Sequence, residues 1–398
     1  MVNYVFLSVY FYSVPNLRFN GYTENWQKYR TIELGQMQRG KSKHRPRDDE
    51  KLYGGAYPFI QTGDIKKANL YIKEYERTYS NYGLSQSKLW SKGTLCITIA
   101  ANIAETAILG LNACFPDSVI GWISNEKITN NIFIKYYFDF YKTQLKRLSV
   151  GGAQENLNLD KLENVYFHIP TLPEQNDITN LLTKIDELIE TQIKIIEEYV
   201  ILKNSLIHRF FTMDNPKVKL STILTEINIK NKNKQIDTVL SVSNKLGFIK
   251  QSEQFEDREV ASDDTSNYKI VNKGDYAYNP ARINVGSIAR LINYDKGIIS
   301  PMYSCFKINE KKITYTYFDM FLSSFSFKRQ LNKKLEGSVR QCLTFEGMLS
   351  MDIELPCIET QKSISNKIDM LNYKIKLESD YREALIKQKQ FLLNNMFI

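Results

Sequence analysis

A run of basic residues near the N-terminal end is the densest group of chemically useful side chains in this sequence. It reads RGKSKHRPRDDEKLYGG, and its cationic or titratable members are Arg39, Lys41, Lys43, His44, Arg45 and Arg47. Because these residues alternate with turn formers, they cannot share one face of a helix or strand, and the pattern predicts a loop. Guanidinium groups bind phosphate oxygens or the O6/N7 edge of guanine in a bidentate manner, which favours DNA contact. A solvated loop partly neutralised by Asp48, Asp49 and Glu50 is the alternative.

Other polar loop residues are weaker candidates for the same role, and they occur in both halves of the chain. In the first half they are Ser85, Gln86, Lys88, Asn102 and Gln154. In the second half they are Arg282, Asn284, Ser287, Arg290, Ser338, Arg340 and Gln341. Among these, Arg282 and Arg340 are the strongest candidates in the second half, since arginine binds both phosphates and base edges.

Residues for covalent or metal chemistry are sparse. The 5 cysteines are widely spaced without a CxxC pair, and the 3 histidines lie far apart, so the pattern predicts no disulfide framework, thiolate zinc site or Cys/His nucleophile. The chain lacks the phosphate-binding, dinucleotide-binding, HExxH and GxSxG motifs. The segment Tyr278 to Ala281 is similar to the Asn-Pro-Pro-Tyr loop of adenine methyltransferases but lacks its second proline and the stacking ring. It is therefore interpreted as a strand that ends at Pro280.

The composition favours a globular protein with an acidic partner. The chain has 398 residues and a formal net charge of +9, with a pI of about 9.0, which suits a polyanion without proving one. The apolar run from Val5 to Tyr12 is too short to span a bilayer and lacks signal-peptide features. We expect no membrane partner and, from the cysteine usage, a reducing cytoplasm. The run is interpreted as an edge strand or as an extension before a domain that begins near Val14.

A long internal repeat organises the rest of the chain. Gly151 to Phe211 can be laid over Gly337 to Phe397 without a gap, at a constant offset of 186 residues. Upstream, the segment from Lys92 matches the segment from Lys273 in its Lys-Gly turn, apolar strand, loop and second strand. Identity is low, so a chance match of amphipathic segments is the alternative to duplication.

The clearest elements are two long helices, one in each copy of the repeat. No Gly or Pro occurs from Glu174 to Phe211 or from Glu359 to Ile398. Thr171 and Glu174 form the pattern of a capping box. Each helix is predicted to run for about 37 residues, or roughly 55 Å.

Apolar residues recur along both helices at alternating intervals of four and three, which predicts a coiled-coil seam. Lys203 and Lys389 interrupt the seam at matched positions, where they would set the register of the two helices. Packing of each stripe on its own domain is the alternative. The stripes comprise Ile178, Leu182, Ile185, Ile189, Ile196, Tyr199, Leu206 and Phe210 in the first helix, and Ile364, Ile368, Leu371, Ile375, Leu385, Leu392 and Met396 in the second.

The predicted fold is mixed α/β (α+β), with two similar globular domains separated by two long helices packed as an antiparallel coiled coil with a pseudo-two-fold repeat. Short strands are expected at Tyr57 to Ile65, Thr94 to Ala100, Asp237 to Ser243 and Gly274 to Pro280, and helices from Asn130 and from Tyr315. The predicted boundaries are 1–25 for an N-terminal extension or strand, 26–170 and 213–356 for the two domains, and 171–212 and 357–398 for the helices.

This layout resembles the specificity subunit of type I restriction-modification systems. The segments similar to that family include VPNLRFNGYTENW, GKSKHRPRDDEKLYGGAYPFIQTGDI, KGTLCITIAANIAETAI and LPEQNDITNLLTKIDELI in the first half. In the second half they include GDYAYNPARINVGSIARL, GIISPMYSCFKI and GSVRQCLTFEGMLSMDIELP. The resemblance covers residues 14 to 398, and CIETQKSI departs from the pattern where LPEQNDI stands in the first helix.

The resemblance implies a non-catalytic subunit that binds double-stranded DNA. Each domain would be a target recognition domain for one half of a bipartite site, and the helices would fix the gap. Two DNA adenine methyltransferase subunits would dock on the helices and motor-nuclease restriction subunits would join them. These partners would carry S-adenosylmethionine, ATP and Mg, with no cofactor in this chain. A diverged DNA methyltransferase or nuclease, or a coiled-coil scaffold for modules that do not bind DNA, are the alternatives.

Overall fold

The computed structural model describes residues 14–149, 157, 159–212, 215–254, 264–336 and 341–398. The chain divides into two compact units, which consist of Met1–Ile195 with Glu378–Ile398 and of Ile196–Leu377. Each unit therefore combines sheets from one half of the sequence with parts of both long helices. The leading run from Val5 to Tyr12 lies outside the described residues.

Unit 1 contains short strands and helices followed by the first part of a long helix. Its strands are β1 (Gln27–Arg30), β2 (Gly35–Arg39), β3 (Tyr53–Phe59), β4 (Tyr71–Ile72), β5 (Arg77–Tyr79), β6 (Leu89–Trp90), β7 (Leu95–Thr98), β8 (Thr106–Leu109), β9 (Ala113–Cys114), β10 (Val119–Ser124) and β11 (Tyr166–Ile169). Its helices are α1 (Thr31–Leu34), α2 (Thr62–Lys67), α3 (Asn81–Ser85), α4 (Asn131–Ser149), α5 (Leu159–Glu163) and the first part of α6 (Leu172–Phe210).

Unit 2 begins within α6 and ends within the second long helix. Its strands are β12 (Lys217–Lys219), β13 (Leu224–Ile227), β14 (Val239–Ser243), β15 (Gly247–Lys250), β16 (Lys269–Asn272), β17 (Tyr276–Tyr278), β18 (Ile288–Arg290), β19 (Lys296–Ile299), β20 (Ser304–Ile308) and β21 (Asp352–Glu354). Its other helices are α7 (Gln251–Gln254), α8 (Tyr315–Ser323), α9 (Phe325–Lys334), α10 (Phe345–Leu349) and the first part of α11 (Ile358–Met396).

The two units share one sheet topology except for β4, which has no counterpart in unit 2, and this agreement supports the internal repeat. In unit 1 the strand orders are β2-β10-β7-β8-β4, β5-β3-β9-β6 and β1-β11. In unit 2 they are β13-β20-β17-β18, β15-β14-β19-β16 and β12-β21. Even single backbone bonds recur, since Gly93 N–H donates to Leu109 O and Gly274 N–H donates to Leu291 O. The predicted mixed α/β class with duplicated domains is therefore confirmed.

Two local predictions were wrong. The expected strand from Tyr57 to Ile65 ends at Phe59, because Asp64 accepts a hydrogen bond from the Gln61 N–H at 2.8 Å and starts α2. The single helix expected from Tyr315 is broken at Ser324, whose hydroxyl oxygen accepts from the Phe327 N–H and begins α9. In both places a polar side chain satisfies a free backbone N–H and restarts the chain in a new direction.

The long helices α6 and α11 have 39 residues each, which corresponds to about 58 Å. Within unit 1 they run antiparallel, since Asp186 binds Lys389 and, further along α6, Gln192 binds Glu378. The register interpretation of the two lysines also agrees with the contacts. Lys389 Nζ lies 2.7 Å from Asp186 Oδ1 in unit 1, and in unit 2 Lys203 Nζ lies 3.2 Å from Asn372 Oδ1 at the repeat-equivalent position.

The helix seam and the sheets of unit 1 form one core. Ile178 and Leu182 of α6, with Leu385 and Leu392 of α11, belong to the same buried cluster as the sheet residue Trp122. In unit 1 the apolar stripes therefore pack both on the partner helix, as the coiled-coil prediction requires, and on the domain, as the alternative requires.

The segment before β1 is attached to the start of α6. Both carboxylate oxygens of Glu174 accept from Arg18, at 2.7 and 2.8 Å, and the Trp26 indole N–H donates to Glu174 at 3.3 Å. The carboxylate that the sequence assigned to a capping box thus anchors the N-terminal segment. Leu17 N–H also donates to Asn395 O of α11 at 2.8 Å.

We predict that Lys389→Met destabilises the protein by about 3 kcal/mol, because it leaves the Asp186 carboxylate, which is 2% exposed, without its cation. The measurement is urea-induced unfolding of the full chain. Adding Asp186→Asn should restore most of the loss. Lys203→Met in unit 2, where the contact is exposed, should cost less than about 1 kcal/mol, and an equal cost at both lysines would contradict the assignment.

Candidate nucleic-acid interface

The basic loop lies between β2 and β3, and its base is held by backbone hydrogen bonds. Gly40 N–H donates to Val119 O at 2.8 Å and Lys41 N–H donates to Phe115 O at 3.2 Å. Gly40 is buried, and a Cβ at this position would overlap the carbonyl oxygens of Phe115 and Pro116. Glycine is therefore required for the close approach of the two backbones.

The upper part of the loop packs against the segment before β6. Lys43 N–H donates to Gln86 O at 3.1 Å, and the Ser87 hydroxyl donates to Lys41 O at 2.8 Å. The hydroxyl of Tyr82 lies 3.2 Å from His44 Nδ1. The candidates Ser85, Gln86 and Lys88 are thus brought next to the basic loop.

Lys88 is itself held in place beside β2. Its ammonium lies 2.5 Å from Gln38 Oε1 and 3.7 Å from the ring centroid of Trp90. A cation above an indole face is attracted by the negative ring face. Lys88 therefore extends the positive surface from the loop towards the end of β2, where Arg39 is exposed.

The cations of the loop differ in how far they are neutralised. Arg47 Nη2 lies 2.8 and 2.9 Å from the carboxylate oxygens of Asp117, and Arg45 Nη2 lies 3.8 Å from the same group. His44 Nε2 lies 2.8 Å from Asp49 Oδ2. The Lys51 N–H and His44 together lower the pKa of the Asp49 carboxyl. Exposed pairs of this kind are weak.

No ion pair of Arg39, Lys41 or Lys43 is found among the described residues, and these three side chains are exposed. The carboxylate that pairs with the two arginines at positions 45 and 47 is thus Asp117, while Asp49 pairs with His44. The loop keeps a positive surface at Arg39, Lys41 and Lys43.

A cavity of about 290 Å³ opens beside the basic loop, and the sequence analysis did not include it in the site. It is lined by polar and aromatic side chains that include Arg47, Gln61 and Arg77. The Arg77 guanidinium carbon lies 5.0 Å from the ring centroid of Tyr53, on the neighbouring strand. Arg77 is exposed in β5, and the pairing of β5 with β3 places it beside the segment Tyr57 to Phe59. Because the candidate cations were sought in loops of the sequence, a cation within a strand was not included.

Asn102 lies in a different loop of unit 1, between β7 and β8. The Thr98 hydroxyl donates to Asn102 O, and Lys66 Nζ lies 3.5 Å from its Oδ1. Ala101 and Ala104 in this loop adopt φ of +61°, a conformation that non-glycine residues rarely occupy. The candidate Gln154 lies outside the described residues.

Unit 2 places two candidates in the equivalent loop, between β17 and β18. Arg282 and Asn284 are exposed around a 3₁₀ turn at Ile283–Val285. Leu343 N–H donates to Pro280 O at 3.0 Å, which brings the exposed Gln341 to the same end of the sheet. Ser338 and Arg340 lie outside the described residues.

Two further candidates of unit 2, Ser287 and Arg290, already bind other groups of the same unit. Ser287 is buried, and its hydroxyl donates to Val242 O at 3.0 Å. Arg290 binds Asp319 at 2.8 Å and lies above the ring of Tyr315. Both side chains therefore already have partners within unit 2, and their contact with DNA stays a prediction.

Within residues 14–149, 157, 159–212, 215–254, 264–336 and 341–398, no cluster of three or more His, Cys, Asp or Glu side chains could hold a metal ion. In the same ranges, no helix is both long and apolar enough to cross a membrane.

Comparison with known families identifies a match in the first half of the chain. Residues 23–198 match the model of the family described as the type I restriction modification DNA specificity domain. This range contains the basic loop, the cavity beside it and the first part of α6.

Two similar proteins come from Methanocaldococcus jannaschii. The type I restriction enzyme MjaVIII specificity subunit is 21% identical over 403 residues, covering 93% of this chain and 92% of that protein. The putative type I restriction enzyme MjaX specificity subunit is 26% identical over 192 residues, covering 48% of this chain and 43% of that protein. The second match thus spans less than half of that relative.

Solved structures show the same fold along nearly the whole chain. The S subunit of a type I restriction-modification system from M. genitalium superposes with a TM-score of 0.58 at 14% identity, covering 97% of this chain and 99% of that one. A chain from a study of complex assembly and conformational transition of the type I R-M system gives a TM-score of 0.58 at 13% identity, covering 93% and 96%.

We predict that Gly40→Ala destabilises unit 1 by about 2 kcal/mol, because the added methyl group must displace the 115–116 backbone. Gly63→Ala is the matched control, since a Cβ there meets no atom within 4 Å and Gly63 lies in helix α2. That change should be neutral or stabilise by up to about 1 kcal/mol. Thermal unfolding of both variants checks the prediction, and an unchanged midpoint for Gly40→Ala would contradict the close approach.

Proposed function

We propose that this chain is a specificity subunit of a type I restriction-modification system, like the proteins it resembles, and that it reads a bipartite site in double-stranded DNA with its two units. The observation that carries the proposal is the duplicated unit with an exposed cationic loop, within the range that matches the family. The family role is recognition rather than catalysis. S-adenosylmethionine, ATP and Mg would accordingly be bound by partner subunits, which would act with this chain in the cytoplasm.

The contacts at the basic loop support a division of labour between affinity and specificity. Arg39, Lys41 and Lys43 are exposed cations that suit phosphate contact, which gives salt-dependent affinity. Arg45 and Arg47 are held by Asp117, and a paired guanidinium still has further N–H donors for a base edge or phosphate. In unit 2, Arg282, Asn284 and Gln341 are the candidates for the corresponding role.

The two recognition domains are proposed at residues 26–170 and 213–356, with spacer helices at 171–212 and 357–398. The long helices α6 and α11 would determine the distance between the half-sites, because spacing between reading elements sets spacing between the bases read. The N-terminal segment before residue 26 would anchor the start of α6 through Arg18 and Glu174.

We also propose that the helices bind two DNA adenine methyltransferase subunits, with motor-nuclease restriction subunits joining that complex. Support comes from large apolar side chains that remain exposed on α11. In unit 2, Met370 is 72% exposed and Tyr373 is 70% exposed, and Leu377 follows at helical spacing. In unit 1, Tyr381 and Phe391 are also exposed. Clusters of exposed apolar residues are typical of protein–protein interfaces.

A DNA methyltransferase or nuclease that has diverged beyond recognition is the competing hypothesis from another class, and stoichiometric binding of S-adenosylmethionine by the purified chain would favour it. A coiled-coil scaffold would instead assemble without DNA and show affinity for random duplex that does not change with salt. The observation against both is the match of residues 23–198 to a DNA specificity domain.

Mapping methylated adenines across a genome, with and without this chain, tests the proposed function. We expect a split motif that appears only with the chain present. Arg45→Ala with Arg47→Ala should change the bases recognised on one side of the motif only, since each base contact contributes about 1–3 kcal/mol of discrimination. The control is Lys67→Ala with Lys73→Ala, which removes equal charge from exposed ion pairs of the same unit. Equal loss on both sides would refute the assignment of the loop to one half-site.

Substitutions on α11 test the proposed docking surface. Met370→Lys with Tyr373→Lys should weaken binding of the methyltransferase subunit at least about tenfold, because buried apolar anchors dominate interface energies. Leu246→Lys is the control, at an apolar residue that is exposed between β14 and β15. Binding measured with the purified methyltransferase distinguishes the variants. Unchanged affinity of the double variant would show that this surface is not used.

A further inference from the structure

The basic loop of unit 1 has a topological counterpart in unit 2 that the sequence analysis did not identify. The loop of unit 1 connects β2 to β3, and its counterpart connects β13 to β14 over residues 228–238. In each unit the first strand of this connection lies at an edge of one sheet and the second lies inside another. The unit 2 loop reads NIKNKNKQIDT, so it also carries alternating cations, Lys230, Lys232 and Lys234.

The two loops are attached to their units by the same backbone bond. In unit 1, Lys43 N–H donates to Gln86 O, in the segment before β6. In unit 2, Asn231 N–H donates to Tyr268 O at 2.9 Å, in the segment before β16. Strands β6 and β16 occupy the same edge position of their sheets. The loops are therefore equivalent by contact as well as by order along the chain.

A buried asparagine shapes the unit 2 loop. Asn231 is 2% exposed, and its side-chain amide donates to Ile236 O at 2.9 Å. Lys234 N–H donates to Asn231 O at 3.0 Å, and Lys234 adopts a φ of +51°. These bonds close a tight turn at residues 231–234, so that Lys230, Lys232 and Lys234 remain exposed around one buried anchor.

The charge of this loop is only partly compensated. Lys234 Nζ lies 3.1 Å from Asp264 Oδ1, and Lys230 Nζ lies 3.3 Å from the neutral amide oxygen of Asn267. No ion pair of Lys230 or Lys232 is found in the part of the chain that the structure describes. Lysine is a compact cation without the bidentate fork of arginine, so this loop suits phosphate oxygens rather than base edges.

We infer that Lys230 and Lys232 bind the DNA phosphate backbone and that residues 228–238 are the phosphate-contact loop of the second recognition unit. This inference rests on the proposed function and adds a contact surface to the half of the chain where the sequence candidates were few. The lysines supply affinity that does not depend on base sequence, and Asn231 acts as a positioning residue for both.

The test measures binding of the full chain to a random-sequence DNA duplex by fluorescence anisotropy, at salt concentrations between about 50 and 200 mM. Each phosphate contact contributes about 0.9 to the slope of log affinity against log salt. Lys230→Ala with Lys232→Ala should therefore reduce the magnitude of that slope by about 2 and weaken binding at low salt.

The matched control is Lys311→Ala with Lys312→Ala, which removes the same charge from unit 2. Lys312 Nζ donates to Thr222 O, before the start of β13, whereas the loop follows the end of this strand. The control should keep the slope of the unaltered chain. An equal reduction in both variants, or an unchanged slope for Lys230→Ala with Lys232→Ala, would overturn the inference while leaving the proposed function intact. If the unaltered chain shows no salt-dependent binding, the proposed function and the inference fail together.

Discussion

Each unit closes its hydrophobic core with the C-terminal end of a long helix, and in unit 1 this end comes from a distant part of the sequence. In unit 1, the ring of Phe397 lies 5.3 Å from Phe133 and 5.5 Å from Tyr137, and the Tyr137 hydroxyl donates to Ile398 O. The repeat-equivalent contact in unit 2 places Phe211 at 5.1 Å from Tyr317. Residues 26–170 therefore lack one wall of their core without α11. Because these helix ends are part of the cores, the register of the helices within each unit matters.

The register is set by polar groups that are placed inside an otherwise apolar seam. Asp186 accepts from Lys389 and from the Tyr136 hydroxyl, each at 2.7 Å, so a shift of either helix would leave a buried charge without a partner. Burial lowers the pKa of Lys389, with the nearby charge of Lys135 acting in the same direction. Leucine in place of both Asp186 and Lys389 would also fill the seam, but an entirely apolar seam tolerates several registers.

The features that depend on the periodicity of apolar residues and on the order of segments could be predicted from the sequence. The features that depend on which strands pair with each other could not. The helices, their seam and the duplicated layout follow from spacing, because apolar stripes and the absence of Gly and Pro are local signals. Ser287 was chosen as a surface residue although it is buried, since a single hydroxyl after a strand carries no sign of which face it occupies. Arg77 was missed because only the pairing of β5 with β3 brings it to the cavity. Lys230 and Lys232 were not among the candidates, because only the strand order shows that the connection from β13 to β14 corresponds to the connection from β2 to β3.

The two equivalent loops carry different side chains on the same arrangement of strands. This difference is tolerated because the loops are attached through backbone hydrogen bonds. Both are held by backbone donors, Lys43 N–H in unit 1 and Asn231 N–H in unit 2, so the bond itself does not constrain the exposed side chains. The first loop alternates arginine and lysine with turn formers, while the second alternates lysine with asparagine. Exposed substitutions away from buried contacts change stability by less than about 0.5 kcal/mol. A frame built on backbone bonds and buried aromatic rings therefore lets the two loops carry unlike side chains without a change of fold.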